Sequence, residues 1–111
     1  PMNYSGLVGV QNTQNTVPDK FELSQNFPNP FNPSTDINYS LPKSSDVSLI
    51  VYDILGNEIR TLVNEANKNS GSYSVMWDGT NDAGMKVSSG VYYYKFKTGN
   101  FIQVRKMLLI K

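Results

Sequence analysis

Apolar residues recur at every second position in one short run after another, and that spacing decides what the chain can become. Thr35–Leu41 sets Ile37, Tyr39 and Leu41 against Asp36, Asn38 and Ser40, and Val47–Tyr52 puts Val47, Leu49 and Val51 on one side. Ser72–Trp77 does the same with Tyr73, Val75 and Trp77, and Gly90–Thr98 with Tyr92, Tyr94 and Phe96. A period of two sends alternate side chains to opposite faces of a strand, so each run buries one face and wets the other. Turn residues separate the runs. Asp53–Asn57 carries Gly56 where positive φ is wanted, and DGTNDAG (Asp78–Gly84) carries Gly79 and Gly84 in the same role. Gly99-Asn100 reads as a two-residue hairpin before a last strand, Phe101–Ile110. Glu58–Val63 is a further extended run, and Asn64–Gly71 (NEANKNSG) reads as a polar loop. The expected fold is all-β, an immunoglobulin-like antiparallel β-sandwich of about seven strands with an amino-terminal extension strand.

At 111 residues there is room for one core. Residues 1–20 read as an amino-terminal extension or linker and 21–111 as the sandwich domain. The first 18 residues carry no charge. Within them Met2, Tyr4, Gly6, Val8 and Val10 share one parity, Asn3, Ser5 and Gln11 take the other, and Leu7 breaks the pattern. QNTQNTVP then reads as a polar linker.

Between extension and sandwich stands FPNPFNP, Phe27 to Pro33. Each proline fixes φ and removes a backbone donor, so this stretch is excluded from a central ladder. It is expected to run as a stiff lid at one end of the sandwich, with Phe27 and Phe31 plugging the core and the Asn29 and Asn32 amides bonded to neighbouring backbone.

The residue chemistry argues against catalysis. The chain has no His and no Cys, which removes the commonest general base and activated nucleophile, disulfides and thiolate metal sites. A net charge of +1 predicts neither nucleic-acid nor membrane-surface binding, and no apolar run approaches the ~20 residues of a membrane span. Asp78, Asn81 and Asp82 bring hard oxygen donors into one loop, which suits calcium. The favoured reading is a plain turn, shaped by side-chain bonds to backbone, with no cofactor. Tyr93, flanked by Lys95 and Lys97, is the aromatic expected outside, and Ile50 and Tyr52 suit a covered second face.

Four blocks in order, PNPFNPSTDINYSLP, VSLIVYDILGNEIRTLV, YSVMWDGTNDAGMKVSSGVYYYKFKTG and RKMLLIK, resemble the type A carboxyl-terminal sorting domains of type IX secretion substrates. Their middle is also similar to the immunoglobulin-like domain of flagellar hook-capping proteins. The resemblance covers Phe21 to Lys111. It implies a non-enzymatic module, secreted or held at the cell surface outside the outer membrane, that is handled by a translocon and often cleaved as its cargo is anchored. On that resemblance Lys106, Met107 and Lys111, with Pro28, Asn29, Pro30 and Phe31 of the lid, belong to the surface the secretion machinery reads. Only twenty residues precede the matching region, so the chain reads either as a piece of a longer protein or as a product in itself. In the second case Met2, Tyr4, Val8 and Val10 are expected to add as a strand to a neighbouring sandwich, giving a homopolymeric extracellular filament.

Overall fold

A computed structural model describes residues 17–110, and the strand expected at Met2–Val10 lies outside them. Seven strands form two antiparallel sheets. They are β1 (Glu22–Leu23), β2 (Thr35–Leu41), β3 (Ser45–Tyr52), β4 (Glu58–Lys68), β5 (Gly71–Trp77), β6 (Gly90–Thr98) and β7 (Phe101–Leu109). One sheet has the order β1-β2-β5 and the other β4-β3-β6-β7. The expected sandwich is therefore the fold.

Register follows parity. β2 lies against β5 along its whole length, from Thr35 opposite Trp77 to Leu41 opposite Gly71. Ile37, Tyr39 and Leu41 face inward, and Asp36 and Asn38 face water. From the other sheet Val47, Leu49, Val51, Tyr92, Tyr94, Phe96, Met107 and Leu109 meet them, all buried. Aromatic rings lock the two layers together. Tyr39 meets Phe96 at 5.2 Å between ring centres, and Trp77 meets Tyr92 edge-on at 5.3 Å. Each fully buried side chain of this size contributes about 1.5–3 kcal/mol over an exposed one.

Turn chemistry sets the connections. Gly99 takes φ +56° in the turn between Thr98 and Phe101. At the β3–β4 turn the Asp53 carboxylate accepts the N–H groups of Leu55 and Asn57, each at 2.9 Å, while Gly56 supplies φ +87°. Those bonds, first the Asn57 backbone and then its side chain, hold the Asp53 carboxyl below the usual range.

The NEANKNSG stretch is not the loop its polarity suggests. β4 continues through Lys68, and only Asn69 and Ser70 connect it to β5. It survives as an edge strand because the β3 ladder holds its backbone, while register shifts at three points reset the pairing. Beyond Val63 the side chains of Asn64 through Asn67 are exposed on both faces of the strand, so the apolar alternation that marks inner strands is absent there. Asn67 absorbs the irregularity at φ +53°, and its N–H bonds the Asp46 carboxylate at 3.0 Å.

Candidate functional site

The lid closes one end of the sandwich by pairing with the last turns of chain on β7. Phe31 N–H donates to the Leu108 carbonyl and Ile110 N–H donates back to the Phe31 carbonyl, both at 3.0 Å. That makes a parallel bridge between Phe31 and Leu109. Asn29 Oδ1 accepts the Leu108 N–H at 3.0 Å, as expected for an amide beside a proline. Gln25 Nε2 reaches the Lys106 carbonyl at 2.8 Å, and Arg105 Nε reaches the Leu23 carbonyl at 2.7 Å. The segment is thus a stiff cover tied to β7 through the Asn29 side chain and the Phe31 backbone. Its Phe27–Pro28, Asn29–Pro30 and Asn32–Pro33 peptide bonds are cis.

Only one of the two phenylalanines is a plug. Phe31 is 1% exposed and packs on Trp77 at 5.6 Å between ring centres. Phe27 is 78% exposed, which corrects the expected pair. Its backbone is committed instead, exchanging two 2.9 Å bonds with Asp36 at the start of β2, and this orientation turns the ring outward.

Beneath the lid lies a buried polar cluster that the sequence reading did not single out. Tyr94 Oη accepts from Asn26 N–H at 2.8 Å and donates to the Ser24 carbonyl at 2.7 Å. Asn26 Nδ2 donates to Thr35 Oγ1 at 3.0 Å, and Thr35 Oγ1 donates to the Pro28 carbonyl at 2.8 Å. Asn26 and Thr35 are each 2% exposed, and buried polar groups of this kind are stable only when paired. The available signal was an Asn directly before a proline-rich lid.

The surface the resemblance pointed to is partly inside. Met107 and Phe31 are each 1% exposed, because their parity along the chain faces the core, so neither side chain is offered to a partner. Pro28, Asn29, Pro30 and Lys106 are exposed, and the bonds above bring the lid beside the end of β7. Lys111 lies outside the described residues. Asn32, Pro33, Asp78, Gly79, Lys86 and Leu109 border an open depression of about 230 Å³ at this end. Gly79 belongs there for a backbone reason: its φ is +77°, and a Cβ would stand 3.2 Å from the Pro33 carbonyl oxygen.

The DGTNDAG donors are committed to the turn. Asp78 accepts from the Thr80 hydroxyl and N–H, and these bonds hold its carboxyl below the usual range. Asn81 Oδ1 accepts the N–H groups of Ala83 and Met85 at 3.0 Å each, and Asp82 accepts Thr61 N–H at 3.0 Å. Among the described residues no group of three or more His, Cys, Asp or Glu is placed to hold a metal ion.

The outer face of the four-stranded sheet carries the remaining candidates. Register aligns Ile50 with Lys95 and Val104, and Tyr52 with Tyr93 and Lys106. Tyr93 is half-buried there, as are Ile50 and Tyr52, and the Lys95 ammonium lies 5.4 Å from the Tyr52 ring centre. On β7 itself Ile102 and Val104 are 57% and 52% exposed.

Comparisons with known proteins agree with this architecture. The FlgD Ig-like domain family matches residues 31–100. No curated protein matches the chain. Dimeric latent PorU from Porphyromonas gingivalis is similar in structure, with TM-score 0.65 and 22% identity over 86% of this chain and 10% of PorU. FlgD from P. aeruginosa follows with TM-score 0.53 and 28% identity, over 68% of this chain and 61% of that one. PorZ, an essential surface component of the type-IX secretion system of Porphyromonas gingivalis, has TM-score 0.50 and 19% identity, over 84% of this chain and 12% of PorZ. The chain spans less than two thirds of each of these proteins. With the matched region running from the Phe31 plug to the β6–β7 turn, the chain belongs to the FlgD Ig-like domain family.

Proposed function

We propose that this domain is an exported, non-enzymatic module that directs type IX secretion and attachment at the cell surface, as the sorting domains it resembles do. Its partner is the secretion translocon, and its recognition surface is the lid end. The observation that carries this reading is the lid's pairing with β7, which holds exposed Pro28, Asn29 and Pro30 beside exposed Lys106 as one preformed surface. Preorganisation of this kind lowers the ordering cost of docking. The shared fold with a type-IX surface component supports it at the level of architecture. Fusing residues 21–111 behind a reporter in a type IX-competent bacterium is expected to place the reporter outside the cell. A reporter held in the periplasm would overturn the proposal.

A second reading makes the chain a structural subunit of an extracellular filament, with residues 2–10 added as a strand to a neighbouring sandwich. It is favoured by a sheet edge that the described residues leave half unpaired. Removing residues 1–18 is then expected to yield folded monomers, and polymerisation that persists without them would refute it.

A further inference from the structure

Among the described residues, β7 is covered along only half of its free edge. Backbone groups on a strand point alternately to the two sides. Leu108 and Ile110 send theirs to the lid, so Ile102, Val104 and Lys106 face the same way, outward from β6. The Lys106 carbonyl is taken by Gln25. Among the described residues nothing takes the N–H or C=O of Ile102 or Val104. The other edges are guarded or blunt by comparison. β4 is broken by register shifts and carries Glu58, Arg60, Glu65 and Lys68, and β1 is two residues long. β5 shows Ser72, Ser74 and the single apolar Met76 on its wet face, whereas the open half of β7 shows two β-branched apolar side chains.

We infer that the open half of β7, Phe101–Arg105, is the acceptor edge for an added strand, and that the strand is Met2–Val10 of a second copy. The inference rests on the filament reading and names its docking site. Three observations select this occupant. The segment is uncharged, so it lies along an edge without burying an ion, and its alternation matches the two-residue period that strand addition requires. Its apolar parity, Met2, Tyr4, Val8 and Val10, matches in chemistry the exposed row of Ile102 and Val104. Phe21 stacks on Phe101 at 5.9 Å between ring centres, and β1 runs from there toward the lid. Phe21 therefore joins the extension to each copy beside the Phe101 end of the acceptor edge. The contact joins two different surfaces and does not close, so it propagates as a filament.

The chain has no cysteine, so an introduced pair reports this contact cleanly. Full-length chain carrying Val8→Cys or Val10→Cys, mixed with chain carrying Val104→Cys, is expected to give a disulfide-linked heterodimer on oxidation. An internally bridged monomer from a chain carrying Val8→Cys and Val104→Cys, with no heterodimer in the mixtures, would overturn the second-copy assignment. Val104→Pro removes an outward N–H and leaves the ladder to β6 intact. It is expected to weaken self-association about tenfold or more in sedimentation velocity. Ile102→Lys combined with Val104→Lys serves as a second variant should the proline disturb folding. Unchanged association in an edge variant that melts like the parent overturns the site. If deleting residues 1–18 abolishes association while both edge variants keep it, the filament reading stands and the β7 assignment fails. If the deletion has no effect, both fail.

Discussion

The hydroxyl of Tyr94 sits between the Asn26 N–H and the Ser24 carbonyl, at 2.8 and 2.7 Å, and so ties β6 to the chain that leads into the lid. Tyr94 is fully buried, and its removal leaves a donor and an acceptor without water. Tyr94→Phe is expected to cost about 1–3 kcal/mol, the usual penalty for orphaned buried groups. Urea denaturation measures it. Amide exchange at Asn26 and Phe31 is expected to quicken in the same variant, and unaltered exchange would mean the lid is held without this clamp.

Alkaline stability follows from the same side chain. Burial pushes the Tyr94 hydroxyl up to about 12, against smaller opposing effects of Asn26 and Arg105. Burial, then Glu65 and Tyr73, takes Tyr39 to about 12 as well. Between about pH 10 and 12 the unfolded chain loses these protons and the folded chain keeps them, so stability falls as pH rises through that window. Urea midpoints are expected to drop there, and less steeply in Tyr94→Phe and Tyr39→Phe. An equal slope in all three proteins would show that other groups govern the loss.

The two lid phenylalanines are expected to part company on truncation. Phe31→Ala opens a hole against Trp77 and should cost about 3–5 kcal/mol. Phe27→Ala trims a ring standing in water and should stay within about 0.5 kcal/mol of the parent. Thermal melting of the pair decides it, and similar losses at both positions would contradict the asymmetry.

The Asp78–Gly84 loop is expected to behave as a turn. Asn81→Ala deletes the acceptor of two backbone N–H groups and should cost roughly 1–2 kcal/mol. Thr80 holds the Asp78 carboxyl below its ordinary range, so its contribution is present above that range and lost as pH falls through the lowered value. Asp78→Asn should flatten the acid limb of the stability curve. Melting with added calcium and with a chelator should coincide, and an upward shift with calcium would mean the loop holds a cation.

The inner strands were legible because burial on one face writes a two-residue period into the residues themselves. Ile37-Tyr39-Leu41 and Tyr92-Tyr94-Phe96 could face only one way, and their turns carried glycines where left-handed backbone was required. Parity alone also separated Tyr93 from its neighbours. What the local pattern lacked was any record of contacts between distant parts of the chain. The edge strand beyond Val63 is exposed on both faces from Asn64 through Asn67, so its polar residues resembled a loop. Phe27 and Phe31 have the same chemistry and similar neighbours, and only the pairing with Asp36 and with Leu109 turned one outward and the other in. The clamp of Tyr94 on Asn26, and the half of β7 left uncovered by the lid, join residues about seventy positions apart or more. Such relations exist only after the sheets have stacked, because hydrogen-bond partners across a sandwich are chosen by tertiary position and not by sequence spacing.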